Sequence, residues 1–343
     1  MKKIIVGSVR EDAGKTSFII GLAKTAHKKF AYLKPFGDKL IYRKKRLWDY
    51  DAALMTNIFG LQQSSEEMTI GFEHAKLLYM YDEAGTKAKL DDMMKNLEGA
   101  GDLLIIEGGK SMRWGASVRL DTLTVAKYTG AKLILLVSGD EAGINDDMVF
   151  QKKYMNLSGI DYSIVINKVK NIEDYRSTHL PDIKNLGIDV LGVIPEMPEL
   201  TYFSMEYLAE MLQARVLGGE EGLKNRVKKI YVGSMSGDAA MVNPIYKEKD
   251  KLIIVSGDRS DHLVAAIHSS TAGIILTNNI IPPQNLVSRA TDKNIPLLLV
   301  PFTTFETAKK VDDAAPLLTK DDTEQIQSLQ KLIEQNVDYK RIL

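Results

Sequence analysis

The sequence predicts an α/β protein of two domains, a larger one built on a parallel sheet and a smaller one after it. Three observations lead there. Short apolar runs of strand length alternate with amphipathic stretches of helix length. The alternation breaks once, between residues 198 and 228, and then resumes. A chain of 343 residues, at roughly 150 per domain, also suffices for two separate cores.

The first run, Ile4 to Val6, is followed after Gly14 by Phe18, Ile19, Leu22, Ala23 and Ala26, which share one helical face. Leu103 to Ile106, Leu133 to Val137, Ile164 to Ile166 and Val190 to Val193 are nearly continuous rather than alternating, as parallel strands buried on both faces are. Residues 84–98 and 121–128 read as helices between them, completing a doubly wound domain over residues 1–200. Pro198 closes the last strand, Met205 to Val216 reads as helical, and Gly218 to Gly222 is a charged, glycine-rich run, so a linker is expected over 201–222. Strands near Ile230 to Val232, Leu252 to Val255, Gly273 to Leu276 and Leu297 to Val300 then alternate with helices near 260–269, 283–292 and 304–312. They predict the second domain, 223–315. Asp321 to Gln335 has helical spacing, and 316–343 is expected to be a helical tail packed on one of the domains.

Composition narrows the chemistry. Lysine plus arginine and aspartate plus glutamate are equal at 45 each, so the basic excess wanted by nucleic acids or anionic membranes is missing. With no cysteine, thiol nucleophiles, thiolate zinc sites, iron–sulfur clusters and a cysteine-dependent glutaminase are excluded within this chain. The five histidines form no HxH or HExxH spacing, so any metal is expected to be a hard ion held by oxygen. No run approaches the ~18 apolar residues of a membrane helix, and the N-terminal run is too short for a signal-peptide core. A cytoplasmic protein with no membrane or nucleic-acid partner is expected.

The most informative segment runs from Gly7 to Thr16, GSVREDAGKT, between the first strand and the first helix. That is the context of a P-loop, whose backbone N–H groups and helix N-terminus face a phosphate. Gly7 and Gly14 frame the loop, Lys15 would neutralise β- and γ-phosphate oxygens, Thr16 would hold Mg²⁺, and Ser17 completes the phosphate-binding set. The loop departs from GxxxxGK[ST]: Val9 stands at the first glycine position and Gly7 lies two residues upstream. Arg10 lies five residues before Lys15, either as a solvated loop residue or where some dimeric P-loop ATPases carry a second, signature lysine.

Further motifs follow in order: Lys34-Pro35, Asp49 and Asp51, Glu107-Gly108-Gly109, Gly115-Ala116-Ser117, Asn167-Lys168-Val169, Leu191 to Glu196, and Ser256 to Asp261. On these motifs the chain resembles dethiobiotin synthetase and, more closely, the N-terminal region of long phosphotransacetylases and their free-standing archaeal relatives. The resemblance implies a dethiobiotin synthetase-like P-loop parallel-sheet domain followed by a smaller α/β DRTGG-like domain. Two departures lie in the second domain: Ser260-Asp261-His262 replaces the DRTGG glycines, and Asn278-Asn279 stands where relatives often have two glycines. Nothing in these residues resembles the acetyl-transferring domain, so that activity is not implied.

By this resemblance Asp51, with Asp49 as neighbour, and Glu107 complete a Mg²⁺ shell with Thr16. Capping of a helix over Ala52 to Ile58 is the other reading of Asp49 and Asp51, whereas a charge ending the apolar run at Glu107 requires a partner. Lys34 would touch a transferred phosphoryl group or a substrate carboxylate, or else lie at the surface. Asn167 and Lys168 would read the nucleotide base, with Pro195 shaping its pocket; a turn-forming Asn is the alternative. Gly257, Asp258 and Arg259, at a strand-to-helix turn, would hold a second-domain ligand or form a structural Asp–Arg pair. The basic run Lys39, Arg43, Lys44, Lys45 and Arg46 is either a solvated loop or a dock for an anionic metabolite.

Two functions fit. One is a regulatory module that binds ATP and Mg²⁺ and senses a small-molecule metabolite, as a homodimer by resemblance. The other is an ATP-dependent ligase that activates a small carboxylate or carbamate, with Lys15, Lys34 and Glu107 as its catalytic set.

Overall fold

The computed structural model describes residues 1–43, 46–314 and 318–343, with 41–43, 46, 157, 201 and 245 described by backbone alone. It divides into two compact units, Met1–Glu196 with Leu318–Leu343, and Met197–Leu317.

In the first unit, six described strands form one parallel sheet in the order β2-β5-β1-β6-β7-β8. These are β1 (Lys2–Ser8), β2 (Phe30–Leu33), β5 (Leu103–Glu107), β6 (Lys132–Val137), β7 (Tyr162–Val169) and β8 (Val190–Pro195). The hairpin of β3 (Leu40–Arg43) and β4 (Arg46–Asp49) stands apart from the sheet. The helices are α1 (Lys15–Ala26), α2 (Tyr50–Phe59), α3 (His74–Met80), α4 (Glu83–Lys95), α5 (Thr122–Thr129), α6 (Glu141–Ser158), α7 (Ile172–Thr178) and α8 (Leu180–Asn185). One face of the sheet, with Ile5, Leu104, Ile106 and Leu135, packs against Leu90 of α4, Val125 of α5 and Met148 of α6. The alternate residues Ile4, Val6, Ile105 and Leu136 are equally buried, as a sheet covered on both faces requires.

The last helices return to this unit. α15 (Thr323–Asn336) lies against α1, and the approach is so close that a Cβ on Gly21 would sit 2.7 Å from the Leu329 carbonyl oxygen. Beyond it, Val337 bridges Gly192, and α16 (Tyr339–Ile342) carries Arg341 to both oxygens of Asp189 at 2.9 Å.

In the second unit, β12 (Lys229–Val232), β13 (Lys251–Ser256), β14 (Thr271–Thr277) and β15 (Leu297–Leu299) are parallel, and β10 (Arg215–Gly218) pairs antiparallel with β15. A short ladder joins β9 (Phe203–Ser204) to β11 (Arg226–Val227). Of its helices, α9 (Met205–Met211) precedes the sheet, α10 (Gly237–Val242) and α11 (Pro244–Lys247) follow β12, and α12 (Ser260–His268), α13 (Gln284–Asp292) and α14 (Thr304–Asp312) follow the next three strands. The segment 201–222, expected to be a linker, contributes structure instead. Met205 and Leu208 of α9 are fully buried against Leu252, Ile254 and Ile275, and β10 adds an edge strand.

No helix among the described residues is long and apolar enough to cross a membrane.

Candidate functional site

The site gathers at the C-terminal ends of β1 and β5, where ligands of open parallel sheets bind. Gly14, the residue before α1, has φ 86°, a left-handed conformation that favours glycine. Lys15 is buried and donates to Ser8 Oγ at 2.9 Å and to the Lys110 carbonyl at 3.0 Å. Burial lowers its affinity for its proton, and the charge of Glu107 works against that. Ser17 follows, half-buried, in the first turn of α1. A Cβ on Gly7 would come 2.5 Å from Thr122, so the small residue lets β1 pass this side chain.

Thr16 Oγ1 donates to Glu107 Oε1 at 2.9 Å, and Tyr32 Oη donates to Oε2 at 2.8 Å. The charge ending β5 thus has its partners. Burial, then the charge of Asp51, push the Glu107 carboxyl up to about 7, while Lys34, Lys15 and Lys39 pull it down. Thr16 and Glu107 form a hydroxyl and carboxylate pair at the phosphate loop. That donor set fits Mg²⁺, which takes one or two carboxylates, substrate phosphates and waters.

Asp51 is differently engaged. Lys34, expected at a substrate or at the surface, is only 1% exposed and donates to Asp51 Oδ2 and Asp38 Oδ1, each at 2.5 Å, with Asp49 at 3.5 Å. Lys39 reaches the other Asp51 oxygen at 3.4 Å. Burial alone would raise the Asp51 carboxyl, but Lys34 and then Lys39 hold it well below the usual range. Burial opposes the Lys34 charge too, yet Asp51, Asp49 and Glu107 raise the ammonium well above its ordinary value. Each oxygen of Asp51, expected in a Mg²⁺ shell, thus has a lysine ammonium against it. Asp49 caps α2, accepting from the Ala52 amide at 3.1 Å and from the Asp38 amide at 3.0 Å. Among the described residues no group of three His, Cys, Asp or Glu side chains could hold a metal ion. Lys44 and Lys45 lie outside the described residues, as do the side chains of Arg43 and Arg46.

On the far side of the loop, Asn167 Nδ2 donates to the Ala13 carbonyl at 2.8 Å, and Lys168, at φ 62°, donates to the Asp12 carbonyl at 2.5 Å. Both side chains hold the loop backbone. Pro195 ends β8, paired with Val169. Arg10 pairs at the surface with Asp147 at 2.7 Å.

In the second unit, Gly257 is packed so tightly that a Cβ would meet the Ile280 carbonyl, and Asp258 is exposed. Arg259 donates to the Met235 carbonyl at 2.6 Å and to Asp261 at 3.4 Å. Its guanidinium is spent on binding the loop after β12 to the start of α12.

Sequence reasoning missed Ser8, Tyr32, Asp38 and Lys110. Tyr32 alone left a signal: a phenol in the apolar run Phe30–Leu33 needs a buried acceptor.

A family model described as an AAA domain matches residues 2–203. The chain belongs to the AAA domain family. A model described as a DRTGG domain matches residues 207–314, so the expected pairing of a P-loop domain with a DRTGG domain is borne out. This AAA domain protein is 25% identical over 355 residues to a phosphate acetyltransferase of Synechocystis sp., covering 96% of this chain and 50% of that protein. It is 22% identical to one of Pseudomonas aeruginosa, covering 69% and 37%. The chain thus spans half or less of the length of these curated relatives. Among solved structures, a ParA family ATPase of Chlorobium tepidum matches 58% of this chain and 87% of its own at 13% identity and TM-score 0.39. The CBS and DRTGG regulatory region of a Clostridium perfringens pyrophosphatase, complexed with diadenosine tetraphosphate, matches 37% and 59% at 18% identity and TM-score 0.30.

Proposed function

We propose that the chain is a regulatory module that binds ATP and Mg²⁺ at the P-loop and responds to a small metabolite. The observation that supports nucleotide binding is the constellation of Lys15, Thr16 and Glu107 behind a loop that opens a twelve-residue helix. Thr16 and Glu107 would hold the ion, and the ion would neutralise phosphate charge. The backbone of residues 7–15 would bind the phosphates, and Lys15 would exchange its bonds to Ser8 and Lys110 for phosphate oxygens.

Sensing is favoured over ligation because of Lys34. A ligase that phosphorylates a carboxylate needs free cations at the transferring group, but Lys34 is buried and already neutralised by Asp38, Asp49 and Asp51. Freeing it would leave the buried carboxylates of Asp38, Asp49 and Asp51 with Lys39, on Asp51, as the cation in contact with them.

The test is nucleotide binding by calorimetry beside ATP turnover, with and without a panel of small carboxylates and diamines, in the wild type and Lys15→Ala. Binding with negligible turnover, lost in Lys15→Ala, is expected. Carboxylate-stimulated turnover would establish the ligase instead, and unchanged affinity in Lys15→Ala would overturn the P-loop assignment.

A further inference from the structure

The two oxygens of Glu107 are held by groups of different kinds. Thr16 Oγ1, on Oε1, belongs to the first turn of α1 and is itself proposed to hold the ion, so its bond has to rearrange when the ion arrives. Tyr32 Oη, on Oε2 at 2.8 Å, belongs to strand β2 and has no such second task. The register explains how it reaches. Tyr32 is paired with Ile105, and Glu107 stands two residues further along β5, so the three side chains share one face of the sheet. The phenol therefore spans about 6.6 Å of strand rise, farther than a serine or threonine hydroxyl at the same position would extend.

Packing alone does not account for this hydroxyl. Phe30, Ala31 and Leu33 make up the rest of β2, and the whole strand is buried. A phenylalanine ring would fill the same space without taking a polar group out of water. Tyr32 is 0% exposed and Glu107 1%, so the bond between them lies wholly inside the domain, where losing one partner leaves the other unsatisfied.

We propose that Tyr32 is a positioning residue, which fixes the Glu107 carboxylate in the orientation that serves Mg²⁺ at the P-loop. It touches neither nucleotide nor ion. By keeping Oε2 engaged from the strand, it leaves Oε1 turned toward Thr16. Groups that orient a metal-binding side chain in this way typically change metal affinity by about 10- to 100-fold. The proposal rests on the reading of the P-loop as an ATP and Mg²⁺ site and adds the residue that prepares its carboxylate.

The test is calorimetric titration of the full-length chain with ATP, once in MgCl₂ and once in EDTA, for the wild type, Tyr32→Phe, Glu107→Gln and the double variant. Tyr32→Phe keeps the ring in the core, and melting temperatures check that each variant is folded. The ratio of the affinities with and without Mg²⁺ should fall about tenfold in Tyr32→Phe. In the Glu107→Gln background the same change should lower the ratio no further, because the two residues act as one. A ratio that Tyr32→Phe leaves intact, with or without a lowered melting temperature, would reduce Tyr32 to packing and overturn the proposal. So would an equal fall in the Glu107→Gln background, since Tyr32 would then act elsewhere. ATP bound equally well with and without Mg²⁺ by the wild type would overturn the proposal and leave the nucleotide site standing. No ATP binding by the wild type would overturn both.

Discussion

Lys34 donates to Asp51 at 2.5 Å with both side chains sealed from solvent, at 1% and 2% exposure. The cation and its carboxylates stabilise one another only as a set, because each alone would be a buried, unpaired charge. Lys34→Met should therefore cost about 3–5 kcal/mol in urea unfolding. Adding Asp51→Asn should recover part of that loss. A cost below about 0.5 kcal/mol for the single change, the size of an ordinary surface substitution, would mean the cage contributes nothing.

Glu107 imposes a pH dependence of definite sign. Its ordinary value is 4.5 and its folded value is about 7, so the folded state holds the proton more tightly than the unfolded chain. Its contribution to stability is fully present below the unfolded value and is lost as pH rises through the folded one. The loss is on the order of 3 kcal/mol. Unfolding free energies of the wild type and Glu107→Gln, measured between about pH 5 and 8, should diverge in favour of the variant as pH rises. Parallel curves would contradict the raised value.

Asn167 separates a base reader from a loop latch. As a latch on the Ala13 carbonyl, its loss in Asn167→Ala should cost about 1 kcal/mol of stability. Affinity for ATP and GTP should fall by the same factor. A change in their ratio would restore the base-reading role.

The contact between α1 and α15 is tightest at Gly21, where an added Cβ would lie 2.7 Å from the Leu329 carbonyl oxygen and 2.8 Å from Ile333. A backbone oxygen cannot step aside as a flexible side chain does, so Gly21→Val should lower stability by about 1–3 kcal/mol. Thermal unfolding would detect this as a lowered Tm. An unchanged Tm would mean that α15 is free to move off α1.

What the sequence revealed follows from range. The P-loop and Glu107 were legible because a strand, a turn and a helix are contiguous, and because one charge interrupts an apolar run. The surroundings of Lys34 were not, since Asp49 and Asp51 reach it only after the β3–β4 hairpin folds back. Lys110 acts through its carbonyl, which no side-chain pattern reports. β10 escaped notice because its first residues, Arg215 and Val216, continue the helical spacing expected over Met205 to Val216, while α9 ends at Met211, and its last residue is the first glycine of the run expected to be flexible. Met205 and Leu208 were read correctly as helical, but only the folded sheet shows that they are core.

The return of α15 to α1 also sets an order of events during synthesis. Strands β1 to β8 leave the ribosome early, yet the face of α1 that receives Leu329 and Ile333 has no cover until residues 323–336 have followed the whole second unit out. Domains emerging from the N-terminus generally fold as they appear. Here the unit begun first is completed after the one begun second, so α1 waits for α15 until both sheets have been made.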